Sequence, residues 1–227
     1  MAKQLLTGRE PAVRSTSDFV YNTVRQAIIT QQLPAGTRLV EAKLSKELNV
    51  SITPVREAFA RLANQGLLTV FPYKGTYVTI LSSEAAQDIY ALRQHLEVTA
   101  AERGFDKLTR EDLEECEALC QESDAAYDAG DLYGAIHCDI LFHERMFRAS
   151  GSALLMEIWD TIKYRIEYIQ SYAKTAMRPR MYVRHRAMLE AMQSGNREEF
   201  VRALAEHLNS NLRYVNFPKE DEIRYEN

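Results

Sequence analysis

The sequence lacks the features of a secreted or membrane-spanning protein. Its three cysteines, Cys116, Cys120 and Cys138, form no CxxC pair, and an odd, scattered set of thiols favours a reducing compartment over a disulfide framework. No apolar run approaches the roughly 20 residues that span a bilayer, and the stretch Met1–Leu6 has neither a long apolar segment nor a cleavage site for secretion. We therefore predict a cytoplasmic protein with no membrane partner.

Motifs of the common enzyme classes are also missing. The sequence contains no H-E-x-x-H, no G-x-S-x-G and no glycine-rich phosphate loop. These patterns mark zinc hydrolases, serine hydrolases and nucleotide-binding enzymes respectively. Their absence predicts that the protein is not an enzyme.

The charge is divided unevenly along the chain. The net charge of −4 does not by itself suggest a nucleic-acid partner. Residues 1–81, however, carry 10 Lys and Arg against 5 Asp and Glu, whereas residues 82–227 carry 18 against 27. This asymmetry indicates a basic binding module joined to an acidic second part.

The basic part contains the pattern of a winged helix-turn-helix. The predicted elements are a helix over Glu41–Leu48, a turn at Asn49–Val50, a helix from near Ser51 to Gly66, and strands over Leu67–Phe71 and Thr76–Ile80. Taken singly, these elements fit an ordinary amphipathic helix pair with surface charges. Their joint order favours a fold that reads double-stranded DNA.

The second of these helices has the two faces that a recognition helix needs. Apolar residues from Val55 to Leu62 supply a packing face, and Arg56 lies one turn into the helix, where such a helix meets base edges. Ser51 is predicted to cap the helix, and Lys74 lies at the tip of the hairpin. The residues predicted to reach phosphates or bases are Lys46, Ser51, Thr53, Arg56 and Lys74.

Beyond residue 81 the strand signal stops and six helical segments follow. They are predicted over Ser83–Gly104, Thr109–Gly130, Asp131–Ser150, Ser152–Lys174, Pro179–Gly195 and Asn196–Val215. The predicted fold is therefore mainly α, with an N-terminal winged helix-turn-helix and a C-terminal all-α bundle of about six helices. The predicted divisions are a mobile arm (1–15), the DNA-binding domain (16–81), the helical domain (82–216) and a polar tail (217–227).

Four polar side chains fall on apolar faces of the predicted bundle helices. Asp139 and His143 are one helical turn apart and share a face, and His185 and His207 interrupt apolar stripes on two further helices. A buried lone carboxylate is costly unless it is paired or bound to a metal. A satisfied core histidine is the simpler reading of any one position. Together, three imidazoles and one carboxylate suit a divalent transition metal such as zinc, nickel or manganese.

The segment L-S-K-E-L-N-V-S-I-T-P-V-R-E-A-F-A-R-L-A-N-Q-G-L-L resembles the DNA-binding signature of the GntR family of bacterial transcription regulators, as do G-T-R-L-V-E before it and Y-K-G-T-Y-V after it. The resemblance implies that Gly75 joins the DNA-contacting set already named. The sequence departs from the family at Ile52, where an arginine is usual, and near Ala42, where one is frequent.

The helical part resembles the effector domain of the FadR-like subfamily, in which an Asp and three His often hold a metal. The matching segments are D-x-x-x-H at Asp139–His143, H-R-A-M-L-E-A at His185 and H-L at His207. The resemblance places an effector-binding arginine at Arg93, within L-R-x-x-L-E. Arg165 lies beside another apolar stripe and is a second candidate for binding the effector. A surface salt bridge is the simpler reading of either arginine alone. The resemblance implies a repressor whose effector is a small carboxylate that binds near the metal.

We expect a homodimer, because one recognition helix reads few bases and paired DNA-binding domains match a palindrome. Two alternatives remain at this point. The Asp/His₃ site can belong to a metal-dependent hydrolase or lyase, or the bundle can be a metal-free pocket for an acyl or aromatic effector.

Overall fold

The computed structural model describes residues 15–172, 180–211 and Tyr225. These residues form nine α-helices, a short 3-10 helix over Phe105–Lys107 and three strands. The elements are α1 (Thr16–Ile29), β1 (Arg38–Leu39), α2 (Glu41–Glu47), α3 (Ile52–Asn64), β2 (Leu68–Phe71), β3 (Gly75–Val78), α4 (Ser83–Gly104), α5 (Arg110–Asp128), α6 (Leu132–Ser150), α7 (Ala153–Ser171), α8 (Met181–Gln193) and α9 (Arg197–Asn211). The predicted fold class is confirmed. The predicted mobile arm, apart from Ser15, and the predicted polar tail, apart from Tyr225, lie outside the described residues.

The N-terminal elements form a winged helix-turn-helix, which we call the head (α1 to β3). Its three-stranded sheet has the order β1-β3-β2 and is antiparallel throughout, with Leu68 opposite Val78 and Phe71 opposite Gly75. The hairpin between β2 and β3 is the wing. Helix α3 buries Val55, Phe59 and Leu62 against α1 and the sheet, so its opposite face is left for solvent.

The helices α4 to α9 form the bundle. Its core contains a stacked pair, Phe147 on α6 and Trp159 on α7, with ring centroids 4.5 Å apart. Helix α4 approaches α6 closely at Gly104, where an added Cβ would lie 2.6 Å from the backbone nitrogen of Ser150. A side chain at Gly104 would therefore push the two helices apart.

The head and the bundle share buried residues. Ile136 of α6 and Tyr168 of α7 belong to the apolar cluster of the head, and the Tyr168 hydroxyl donates to the carbonyl of Thr79 at 2.8 Å. Arg25 of α1 forms a buried ion pair with Glu167 of α7. These contacts fix α7 against the head.

None of the helices that the structure describes combines the length and the apolar character needed to cross a bilayer.

Candidate metal centre and nucleic-acid interface

Asp139, His143, His185 and His207 converge inside the bundle. They come from three helices: α6 provides the first two, α8 the third and α9 the fourth. Each offers a ligand atom, and these atoms all lie within 4.8 Å of one another. All four side chains are buried, with His207 the most exposed at 6%.

The spacing of this cluster fits a single metal ion. Transition metals bind imidazole nitrogen and carboxylate oxygen at about 2.0–2.2 Å, so ligand atoms around one ion lie within roughly 4.4 Å of one another. The 4.8 Å limit exceeds that distance by a few tenths of an ångström. The Nε2 atoms of His143 and His185 are 3.2 Å apart, and His185 Nε2 lies 3.6 Å from Asp139 Oδ1. Small side-chain shifts are enough to place one ion between them.

In two of the histidines, a hydrogen bond at Nδ1 leaves Nε2 as the nitrogen that could bind a metal. His143 Nδ1 lies 2.6 Å from Oε2 of Glu97, and His185 Nδ1 lies 2.8 Å from the carbonyl oxygen of Met181. Both partners accept hydrogen bonds, so each Nδ1 must carry a proton and donate it. The Nε2 atoms then hold the free lone pairs, an arrangement found in carboxylate–histidine–metal triads.

Burial favours the neutral form of His185 and His207, which metal binding requires. Desolvation lowers the pKa of His185 well below its usual value, although Asp139 acts in the opposite sense. Desolvation also lowers the pKa of His207, with further lowering from the neighbouring His185 and His143. Burial raises the pKa of Glu97, but Arg93 and His143 outweigh it and leave that pKa lowered. The side chain of Glu97 is therefore a charged carboxylate.

Asp139 is not a lone buried carboxylate. Its Oδ1 accepts from Nη2 of Arg184 at 2.9 Å, and its Oδ2 accepts from Nε2 of Gln170 at 2.6 Å. The Arg93–Glu97 pair on α4 balances its own charge in the same way. Among the described residues, the contacts around the cluster therefore contain two positive and two negative groups, to which a bound divalent ion would add two positive charges.

Arg93 presents the unpaired donors of the site. Its side chain is fully buried, and only Nε is bonded, to Glu97. Its Nη1 and Nη2 atoms have no hydrogen-bond partner among the described residues, and the same holds for the Tyr90 hydroxyl and for Oε1 of Gln170. Buried polar atoms without partners are costly, so these three side chains are the groups best placed to receive a ligand.

Three other polar side chains do not contribute to the Asp139/His143/His185/His207 cluster. Arg165, predicted to bind the effector, is not brought to the cluster; it packs against Gly66 in a cleft between the head and α4 that Asp88 and Ile89 also line. His95 is exposed and bonds to a backbone carbonyl. Glu144 is buried, but it binds Arg148, Trp159 and Lys163 in place of the metal ligands.

The head exposes most of the residues predicted to contact DNA. Lys46, Ser51, Thr53, Arg56 and Lys74 are exposed, and Gly75 is half-buried at the start of β3. Ser51 stands at the N-cap of α3, but its side chain makes no cap hydrogen bond. The predicted N-cap position is confirmed, but the predicted side-chain cap is not formed. The Ser51 hydroxyl is instead available to a phosphate.

Arg56 forms an ion pair with Glu41 that would compete with DNA for its guanidinium group. Its Nε donates to Oε2 of Glu41 at 2.7 Å, while 67% of the Arg56 side chain remains exposed. Exposed ion pairs of this kind are weak. Arg56 can therefore exchange Glu41 for a phosphate or a guanine edge at small cost.

The sequence reasoning missed the groups that hold the ligands. Glu97, Gln170 and Arg184 contact the cluster residues directly. A weak signal existed for Glu97, since it is the glutamate of L-R-x-x-L-E and lies one turn after Arg93. No comparable pattern pointed to Gln170.

Comparison with known proteins gives matches over both parts of the chain. Residues 16–78 match the family described as bacterial regulatory proteins, gntR family, and residues 88–210 match the FCD domain. The chain is 27% identical over 197 residues to the HTH-type transcriptional regulator McbR of Escherichia coli (strain K12), covering 85% of this chain and 89% of McbR. It is 27% identical over 195 residues to the HTH-type transcriptional repressor RspR of the same strain, covering 83% and 84% respectively.

Solved structures show the same architecture. The structure of E. coli McbR/YncC superposes with a TM-score of 0.74 at 26% sequence identity, over 88% of this chain and 97% of that chain. A GntR-type regulator from Rhodococcus sp. RHA1 superposes with a TM-score of 0.75 at 24% identity. The order of head and bundle is therefore common to these proteins.

Proposed function

The chain belongs to the gntR family of bacterial transcription regulators and carries an FCD domain. From this premise we propose that it is a repressor. A metal and a small carboxylate bound in the bundle would set its affinity for operator DNA. The family and its relatives are regulators, so the alternative of a metal-dependent hydrolase or lyase is set aside. The two matched domains support one role each: the head would bind DNA, and the FCD domain would bind the ligand.

The observation that carries the proposal is the buried Asp139/His143/His185/His207 cluster together with the Nη1 and Nη2 donors of Arg93, which have no partner among the described residues. A divalent transition metal, such as zinc, nickel or manganese, would be held by these four side chains. When bound, it supplies positive charge and open coordination positions. A carboxylate fits both features, because it can bind the ion and accept two hydrogen bonds from Arg93.

The proposed response is a shift between two arrangements of one dimer. The cluster joins α6, α8 and α9, so a metal with its carboxylate favours whichever spacing of these helices suits the ligands. Helix α7 packs between the bundle and the head through Tyr168 and Glu167. A changed position of α7 would therefore alter how the two heads of a dimer match an operator.

Metal content is the first test. Elemental analysis of gently purified protein should find close to one transition-metal ion per chain, and the variant His143→Ala should lose most of it. Thr161→Ala, an exposed change on α7, is the matched control and should keep the metal. A wild-type content far below one ion per chain would overturn the metal site.

Effector class is tested separately. The operator is first obtained by selection from a random DNA pool, and binding is then followed by fluorescence anisotropy. A panel of small hydroxy-, keto- and dicarboxylic acids should contain members that weaken binding by metal-loaded protein, and Arg93→Lys should blunt that effect. If uncharged analogues released the protein from operator DNA and none of the acids did, the carboxylate assignment would be contradicted.

The metal-free alternative has one observation in its favour. Arg184 already pairs with Asp139, so this carboxylate has a counter-charge without an ion. In that case an acyl or aromatic effector would occupy the bundle, and the thermal midpoint of the protein would not respond to added zinc, nickel or manganese.

A further inference from the structure

Three aromatic rings connect the wing to a residue beyond the last bundle helix. The ring of Tyr225 lies 4.9 Å from that of Phe71 and 5.4 Å from that of Tyr77, and Phe71 and Tyr77 are 5.7 Å apart. All three pairs are edge-to-face, with interplanar angles of 71–76°. Edge-to-face rings at 4.5–7 Å attract one another beyond the effect of buried area. We call these three residues the aromatic cluster.

The aromatic cluster lies at the base of the wing tip. Phe71 is the last residue of β2, and the Tyr77 hydroxyl donates to the carbonyl of Lys74 at 3.1 Å. Arg38 donates to the same carbonyl at 3.2 Å. The tip itself stays open, since Tyr73 is fully exposed. Tyr225 therefore contacts the wing without covering the part predicted to meet DNA.

The cluster also adjoins the bundle. Burial raises the pKa of Tyr168 on α7, and Tyr172 and Tyr225 add to that rise. The Tyr168 hydroxyl bonds to the carbonyl of Thr79, which directly follows β3. Tyr225 is thus close to the junction where α7 meets the sheet.

We propose that Tyr225 docks on Phe71 and Tyr77 to hold the wing in its DNA-binding position. The proposal deepens the function above and rests on it for the effect on operator binding, but the docking itself does not depend on DNA or metal. In the docked state the wing is ordered before DNA arrives. Release of Tyr225 leaves the wing less ordered and lowers operator affinity.

The docking is tested by amide hydrogen exchange of the full-length protein. Tyr225→Ala should speed exchange of wing peptides covering residues 68–78 by about 5- to 100-fold, as expected for the loss of two edge-to-face contacts. Tyr225→Phe keeps the ring and should exchange like the wild type. Tyr182→Ala removes an exposed tyrosine on α8 and is the control. Unchanged wing exchange in Tyr225→Ala would overturn the docking.

The effect of the docking on DNA binding is tested on selected operator DNA with the same variants. Tyr225→Ala should bind several-fold more weakly than Tyr225→Phe. If wing exchange rises but operator affinity stays at the wild-type value, the role of the docking in DNA binding is refuted. If the wild type binds no DNA at all, the proposed function fails, while the exchange result still decides whether Tyr225 docks.

Discussion

Arg25 and Glu167 form a buried two-point ion pair across the boundary between the head and the bundle. Arg25 Nε donates to Glu167 Oε2 at 2.9 Å and its Nη2 donates to Oε1 at 2.7 Å. Tyr133 and Tyr164 lie against the guanidinium at 5.4 Å and 4.9 Å from their ring centroids. The fork of the arginine matches the carboxylate plane, so the pair fixes the angle between α1 and α7 as well as their distance.

Loss of one partner of this pair should be costly. We expect Glu167→Gln to lower the free energy of unfolding by about 3–5 kcal/mol, because it leaves a buried guanidinium without its counter-charge. Urea unfolding followed by circular dichroism measures the change. Glu157→Gln on the exposed side of α7 is the control and should change stability by less than about 0.5 kcal/mol. Equal stabilities of the two variants would show that the ion pair does not hold the domains.

Glu97 should set the metal affinity without being a ligand. Glu97→Gln keeps the shape of the side chain but removes the charge that orients His143. We expect the dissociation constant for zinc, measured by competition with a fluorescent chelator, to rise about 10- to 100-fold. Glu102→Gln, an exposed change on the same helix, should leave it unaltered. An unchanged constant in Glu97→Gln would remove Glu97 from the support of the site.

Arg56 should carry specific recognition by α3. We expect Arg56→Ala to abolish discrimination between operator and random DNA in an anisotropy titration, while the thermal midpoint stays close to that of the wild type. The side chain is mostly exposed and its one ion pair is weak, so the fold does not depend on it. Specific binding at wild-type strength would refute the recognition-helix assignment.

Two further variants complete the test of Arg56. Glu41→Gln removes the carboxylate that holds Arg56 and a negative charge that faces the phosphates, so it should tighten DNA binding a few-fold. Arg110→Ala removes an exposed arginine of the bundle and should have no effect. Weaker binding in Glu41→Gln would mean that Glu41 positions Arg56 instead of competing for it.

The metal-free protein should lose stability in acid through its buried histidines. The pKa values of His185 and His207 are lowered by burial, so the unfolded chain takes up protons below about pH 6.5 that the folded chain does not. Stability is therefore full above that pH and falls below it, by up to about 1.4 kcal/mol per pH unit for each histidine. Urea unfolding at pH 7.5, 6.5 and 5.5 with chelator present measures the slope. A flat profile across this range would contradict the neutral state of the buried imidazoles.

The two parts of the molecule differ in how much the sequence predicts. The head is encoded in a contiguous segment whose turns and caps are local, and its order of elements was found without tertiary information. The four cluster residues were also found, because each interrupts an apolar stripe with a 3.6-residue period. A stripe reveals which face of a helix is buried. It does not reveal what that face touches.

Arg165 illustrates that limit. Helix α7 buries residues on several sides, since Ile166, Glu167, Tyr168 and Ile169 are all inaccessible. Its neighbours in the sequence therefore do not distinguish the side facing the metal cluster from the side facing the head. The contacts of Glu97 with His143 and of Gln170 with Asp139 were missed for a related reason: each of them joins two different helices.

The close contact at Gly104 has a consequence for how this protein can change over time. Glu97 is seven positions before Gly104 on α4, or about 10 Å along the helix, and its partner His143 lies on α6, the helix whose backbone Gly104 nearly touches. Even one methyl group at Gly104 would spread the two helices and draw Glu97 away from His143. A position with no chemistry of its own thus constrains the proposed metal site, and a variant that keeps all four candidate ligands can still lose the arrangement that an ion would need.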